Sequence, residues 1–456
     1  MQSLIEQLTP DAAIKSVAAQ MALGKAEREH TPIDSLGLRP VLERDPVAFI
    51  SAIEANLIPE LLPQRHARML QNPAAFFRGT AELMAHDLSH EAHTDIKLLG
   101  DGDAHLQNFG FYASPERQLL FDLNDFDEAA INPFEYDIKR LATSAYLLGA
   151  QQHYAEDAMD DLVRHLVRTY RKSMHHACKQ TVLERFYAST EVHDLMAGLD
   201  DTDAGDLIQR VVNKAAKRDH QSVVKKYTTT NGRGQLRFID RAPRSVHVEA
   251  DTEVGLMQGL AAYRQTTRAD VNLLLRQYHL TDLIRHSVGI GSFGTHCYLA
   301  LLTGPGGSPL VLQIKEALPR RRELSAGQEL DLDLEVSAGQ RIIAAQQILQ
   351  KASDPFLGWF TLGKRSYYVR QFRDMKESLD ISGLSVEQFG VYADVCAYLL
   401  AMAHVQSPTA AAAVGYMNKQ FDAVIAKWCK GYLHQVIDDY AAFVAAVAPS
   451  GGDAII

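Results

Sequence analysis

The stretch Val288-Gly289-Ile290-Gly291-Ser292-Phe293-Gly294 carries three glycines in the pattern Gly-x-Gly-x-x-Gly. Alone the pattern is weak, because dinucleotide sites, phosphate-covering loops and chance turns all share it. The residues after it decide the fold. A dinucleotide loop opens a helix, whereas Thr295-His296-Cys297-Tyr298-Leu299-Ala300-Leu301-Leu302 is rich in β-formers. Gly304-Pro305-Gly306-Gly307 is then a strong turn signal. Val311-Leu312-Gln313-Ile314-Lys315 reads as the returning strand. The glycines therefore lie between two strands, with Lys315 at the end of the second. Gly289, Gly291, Ser292, Gly294 and Lys315 are the expected phosphate-contacting residues.

Upstream, Ile96 to Leu99 reads as a short strand, and Phe109 to Tyr112 and Leu119 to Leu123 as two more around a turn at Ser114 to Arg117. Between the first two lies Gly100-Asp101-Gly102-Asp103-Ala104-His105-Leu106-Gln107-Asn108. Phosphoryl transfer needs a carboxylate that orients the attacking group and takes its proton, and oxygen ligands for magnesium. Asp103 suits the first task and Asn108 the second. A further carboxylate comes from Asp122-Leu123-Asn124-Asp125-Phe126-Asp127-Glu128, with Asp125 the first choice of metal ligand and Asp122 the second. His105 is assigned to the catalytic set in a supporting role, ahead of a zinc or iron ligand. Such acids also cap turns; two polar clusters, each attached to an apolar strand, favour a cation site.

Gly102-Asp103 with His105 and Asn108 resembles the catalytic loop of aminoglycoside phosphotransferases and choline kinases. Asp125 to Ala129, then Pro133-Phe134-Glu135-Tyr136-Asp137, resembles their metal-binding segment, with Asp137 bracing the loop. Val311 to Lys315 resembles the kinase strand whose lysine meets the α- and β-phosphates. Asp101 stands where those enzymes carry histidine, which changes how the loop is supported. The acid that pairs with the lysine stays open among Glu316, Glu329 and Glu335. The strand Tyr367 to Phe372, continued by Arg373 to Lys376, would form the adenine hinge.

In that resemblance the order is re-cut, because the glycine loop and lysine follow the catalytic loop instead of preceding it. The helix ending Leu399-Leu400-Ala401-Met402-Ala403-His404 is similar to the one that leads into a kinase catalytic loop. The expected fold is therefore α+β: a protein-kinase-like two-lobed fold, circularly permuted. Residues 1–285 form a mainly helical lobe, 286–376 a β-rich nucleotide-binding lobe, and 377–456 helices returning to the first. The chain is also identified as a member of a bacterial family, domain of unknown function 2252. The carriers are Phe76-Phe77-Arg78-Gly79, Gly102 to Gly110, Asp122 to Glu128, Asp137 to Leu141, Val288 to Gly294 and Tyr367 to Lys376.

The bulk numbers set the surroundings. The chain has 456 residues, 46% hydrophobic and 22% charged, with a formal charge of -10. That balance disfavours a nucleic-acid or anionic-membrane partner. Four cysteines without a Cys-x-x-Cys pair point to reduced thiols and a cytoplasmic setting. No signal peptide or membrane span is expected. A basic run from Lys214 to Arg237 is read as a solvated face, and Arg78 and Arg140 as either phosphate clamps or ion-pair partners. The expected activity is ATP- and magnesium-dependent phosphotransfer to a small-molecule hydroxyl or amine. The alternatives are AMP transfer on the same fold, or a catalytically silent nucleotide-binding regulator. The acceptor and the oligomeric state are not legible.

Overall fold

The computed structural model describes residues 4–8, 15–187, 220–232, 234–287, 289–290, 293–319, 338–372 and 380–447. Four short strands frame the acidic motifs: β1 (Lys97–Gly100), β2 (Phe109–Ala113), β3 (Leu119–Leu123) and β4 (Ala130–Pro133). β1 pairs antiparallel with β4, and β2 with β3. The β2–β3 turn is held by Ser114, whose Oγ accepts from the backbone N–H groups of Glu116 (3.2 Å) and Gln118 (3.1 Å). A small hairpin follows, β5 (Thr228–Thr230) with β6 (Leu236–Phe238). The main sheet has six antiparallel strands: β7 (Ser245–His247), β8 (His279–His286), β9 (Cys297–Thr303), β10 (Pro309–Ala317), β11 (Gly358–Leu362) and β12 (Arg365–Gln371). Its order is β11-β12-β10-β9-β8-β7.

The strand alternation that exposes alternate side chains to opposite faces divides β10 between two cores. Leu310, Leu312 and Ile314 join Leu256 and Tyr263 of the helix Ala250–Thr266. Val311 packs on the other side with Phe238, Ile284 and Phe372. Lys315 shares the Val311 parity, and that places it toward the helical body.

The helical body surrounds the helix Glu135–Gln151, in which every residue from Glu135 to Gly149 is buried. A helix covered on all sides belongs at the centre of its lobe. Around it pack Glu156–Ala177, Val386–His404 and Lys419–Val447. Glu156–Ala177 buries one stripe, Met159, Val163, Leu166, Val167, Tyr170 and Met174, at helical spacing. Burying each large apolar side chain in such a stripe stabilises by about 1.5–3 kcal/mol. Val386–His404 starts at a capping box formed by Ser385 and Gln388.

One expectation shifts. The sheet draws in β7 and β8, both of which start upstream of residue 286, so the β-rich part begins inside the segment read as mainly helical. β8 hid because Asp282 and His286 turn inward and break its apolar alternation; Asp282 is buried accepting from Phe238 N (2.7 Å) and Arg237 (3.2 Å). Among the described residues no helix is long and apolar enough to cross a membrane. All four cysteines are buried and free.

Candidate active site

The loop between β1 and β2 is built around a backbone only glycine tolerates. Gly102 has φ +77°, and a Cβ there would lie 2.2 Å from the carbonyl oxygen of Glu128, which no side chain can meet without displacing the acidic segment. The loop hangs from Asp137, in the first turn of Glu135–Gln151. Its carboxylate accepts from Asp101 N (2.6 Å) and Gly102 N (3.0 Å). His404 Nε2 lies 3.1 Å from Asp137 Oδ2, and His404 Nδ1 is 2.7 Å from the Tyr170 hydroxyl. Asp137 accepts only, so the ring donates from Nε2 and receives the Tyr170 hydroxyl at Nδ1.

Asn108 fastens the two acidic segments together. Its amide nitrogen donates to Asp101 Oδ2 (3.0 Å), to the Asp103 carbonyl (3.3 Å) and to the Asp125 carbonyl (3.0 Å). The amide oxygen is the end a cation would take. Asp101 thus supports the loop through Asn108. Its carboxyl is fully buried; burial, then the neighbouring Asp137, Asp103 and Glu128, push its pKa well above the usual carboxylate range.

Asp103 Oδ1 meets Arg140 Nε at 2.5 Å, and Oδ2 faces His105 Nε2 at 3.6 Å. Arg140 is therefore the ion-pair partner of the expected base. It is fixed by donating to the Phe77 carbonyl (2.9 Å) and by stacking on the Phe77 ring, 4.2 Å from its centroid. Burial raises the Asp103 pKa to about 6, against the pull of Arg140. His105 is buried and held well below its ordinary value by burial and by Arg78 and Arg140, so it is neutral beside the carboxylate.

From the sheet, Lys315 reaches across to the acidic segment. Its Nζ lies 3.2 Å from Asp125 Oδ1 and also contacts Asp127 Oδ2. Burial works against the charge on Lys315, yet Asp125 and Asp127 hold its pKa well above the ordinary lysine value. Asp125 and Asp127 stand on either side of Phe126, which is 1% exposed. The alternation sends one ring into the core and both acids to the lysine. These are the partners that the sequence left open. Glu316 instead pairs with His296 (2.8 Å) and Arg365 (3.2 Å), and Glu329 and Glu335 lie outside the described residues. On the helix Ala338–Leu349 the group directed at the site is Arg341, donating to the carbonyls of Ala129 (2.6 Å) and Asp127 (3.0 Å).

The described residues of the glycine loop, Gly289, Ile290, Phe293 and Gly294, are docked on the segment 54–79 of the helical body. Ile58 N donates to the Gly294 carbonyl (2.8 Å), and Arg65 donates to the Ile290 carbonyl (2.6 Å) while pairing with Glu54 (3.0 Å). Arg68 donates to the Gly289 carbonyl and lies over the Phe293 ring. Gly291 and Ser292 lie outside the described residues, as do Arg373 to Lys376 of the expected hinge. Asp122 is not brought to the site. It is buried on β3, accepting from its neighbour Leu123 N (2.9 Å) and from Lys351 N (3.4 Å).

The structure thus joins Asp103, His105, Asn108, Asp125 and Lys315, and leaves Asp122 aside. Sequence reading missed Asp127 and Arg65. Asp127 had a signal in the Asp-Phe-Asp alternation; Arg65 had none, because its partners come from three separate segments. The oxygens of Asn108, Asp125 and Asp127, with Asp127 Oδ1 buried and lacking a hydrogen-bond partner among the described residues, are the hard donors that magnesium prefers. Among the described residues no group of three or more His, Cys, Asp or Glu side chains forms a metal cage. Magnesium beside a nucleotide does not require one, since phosphates and water complete its shell. Residues 57–446 match the profile of DUF2252, a family described as an uncharacterized protein conserved in bacteria. No curated protein and no solved structure matches the chain.

Proposed function

The chain belongs to the DUF2252 family, and from its geometry we propose that it is an ATP- and magnesium-dependent phosphotransferase with a circularly permuted, kinase-like architecture. The observation that carries the reading is the contact of Lys315 with Asp125 at 3.2 Å, between residues 190 positions apart. A sheet lysine and a loop carboxylate meeting beside an Asp-Asn loop is the arrangement that phosphoryl transfer uses. The re-cut order is supported where the helix Val386–His404 ends: Ser407 Oγ accepts from Leu99 N (3.0 Å), and Thr409 donates to the Lys97 carbonyl (2.7 Å). The helix that would lead into the catalytic loop ends against the strand that does.

In this reading Lys315 binds the α- and β-phosphates, and Asn108 and Asp125, with Asp127 beside them, would hold magnesium. When bound, the ion supplies charge neutralisation at the phosphates. Asp103 orients the acceptor hydroxyl or amine and takes its proton, while Arg140 fixes the carboxylate. His105 is a neutral neighbour that supports it. Asp137 holds the loop backbone in place. Catalysis of this kind rests on positioning and electrostatics.

The test is ATP turnover by the full chain with Asp103→Asn and Asp125→Asn. Each is expected to lose about 10²-fold or more. Turnover equal to wild type in both would sink the assignment. ATP labelled at the γ- or the α-position separates phosphoryl transfer from AMP transfer.

A further inference from the structure

Among the buried or half-buried arginines described around this site are Arg65, Arg78, Arg140 and Arg341, and three of these four are bonded within the chain. Arg65 donates to Glu54, Ile290 and Gly79; Arg140 to Asp103 and Phe77; Arg341 to Ala129 and Asp127. The fourth is Arg78, the last residue of the helix Pro73–Arg78. Its Nε is buried with no hydrogen-bond partner among the described residues. A buried guanidinium donor left unmet is costly, so the position suits an acceptor that the described residues do not supply.

The backbone around Arg78 is clamped on both sides. The carbonyl before it, on Phe77, accepts from Arg140 (2.9 Å), the residue that holds Asp103. The carbonyl after it, on Gly79, accepts from Arg65 (3.0 Å), the residue that holds the glycine loop at Ile290. Arg78 is thus fixed between the two loops that would flank a nucleotide's phosphates. Its side chain lines a cavity together with Gly102, Asp127, Glu128, Arg65 and Arg341. Burial pulls its pKa below the usual arginine value, and the charges acting the other way are Asp103 and Asp125. Those two are the proposed base and metal ligand, between which a phosphoryl group in transit would sit.

We infer that Arg78 is the clamp for the transferred, terminal phosphoryl group of the nucleotide, its guanidinium fork bonding the phosphoryl oxygens as the P–O bond to the ADP leaving group breaks and the bond to the acceptor oxygen or nitrogen forms. The inference rests on the phosphotransferase reading above. Arginine suits the task because its planar fork meets two oxygens at once. A fixed cation at that place favours a group whose charge spreads over its outer oxygens during transfer.

The experiment compares wild type, Arg78→Ala and Arg78→Lys as full chains. It measures calorimetric binding of ATP and of ADP with magnesium, γ-phosphate turnover, and the thermal midpoint without nucleotide. Arg78→Ala is expected to weaken ATP about tenfold while ADP changes less than about twofold, and to cut turnover by about 10²-fold or more. Arg78→Lys is expected to regain ATP affinity but not the rate, since a point charge lacks the fork. The midpoint without nucleotide should hold or rise, because the substitution removes an unmet buried donor. An unchanged ATP-to-ADP ratio in Arg78→Ala overturns the clamp, and so does a lowered midpoint with both nucleotides weakened alike, which marks a structural cation. If wild type binds no ATP, the phosphotransferase reading falls and the clamp with it. If wild type binds ATP and Arg78→Ala binds it equally well, the clamp alone falls.

Discussion

Among single residues, Asp103 sets a testable pH dependence. A general base works as the carboxylate, and burial places the Asp103 pKa at about 6. The value of kcat/KM for ATP turnover should therefore rise through about pH 6 and fall about tenfold per unit below it. Arg140 favours the charged form, so its removal must raise the pKa. In Arg140→Ala the acid limb is expected to move to higher pH; a pH profile of kcat/KM in which the limb stays put would separate Arg140 from the base. Asp103 and Asp125 could be singled out because two polar clusters, each attached to an apolar strand, favour a cation site over acids that merely cap turns. Asp122 stands apart from the other acids for a physical reason. It sits within a strand, and pairing with Gly110 turns its side chain to the Lys351 backbone instead of the cleft.

Among the helices and strands, the proposed catalytic loop depends on a helix far away in the chain. Tyr170, His404 and Asp137 are all buried, and together they link Glu156–Ala177, Val386–His404 and Glu135–Gln151 to the loop. His404→Ala leaves the Tyr170 hydroxyl without its acceptor and Asp137 short of one donor. It is expected to cost about 1–3 kcal/mol in urea unfolding and to lower kcat more than the KM for ATP, because the loop's position suffers while the sheet's phosphate contacts stand. Equal stability and an unchanged kcat would exclude the brace. The capping box offers a control remote from the site: Ser385→Ala should cost about 1 kcal/mol with turnover per folded molecule intact. β2 and β3 were readable from the turn chemistry between them, which is local. β8 was not, since its inward Asp282 is satisfied by distant groups, on β6 and at His247 (3.1 Å).

Across the molecule as a body, the cleft gathers carboxyl groups that the fold makes hard to ionise. Asp101, Asp103, Asp127 and Glu128 all have pKa values raised, in each case first by burial. A folded-state pKa above the unfolded value means that the folded chain binds protons more tightly. The contribution to stability is then present at low pH and is lost as pH rises from about 4 through the folded pKa values. A divalent cation held by Asn108, Asp125 and Asp127 would sit beside these carboxyl groups, relieve the repulsion that appears as they ionise, and stabilise the folded state by mass action. Magnesium with ATP should therefore raise the thermal midpoint more at pH 8 than at pH 5. An equal gain at both would place the cation elsewhere.

Residue types and their local spacing were enough to specify the chemistry expected of this chain. An Asp-Asn loop, an acidic segment, a glycine hairpin and a strand lysine could all be read along the sequence, and so could the family, because each motif is local and its residue types follow from what phosphates and cations require. How these pieces meet was settled by packing alone. Folding brings Lys315 to Asp125 and Asp127, brings Arg140 to Asp103, and leaves Arg78 facing the cavity with its buried Nε unmet among the described residues. Those partnerships join residues from distant segments, and burial there makes an unmatched charge costly. Which acid or arginine is paired is therefore a property of the packed cleft, and no local pattern carries it.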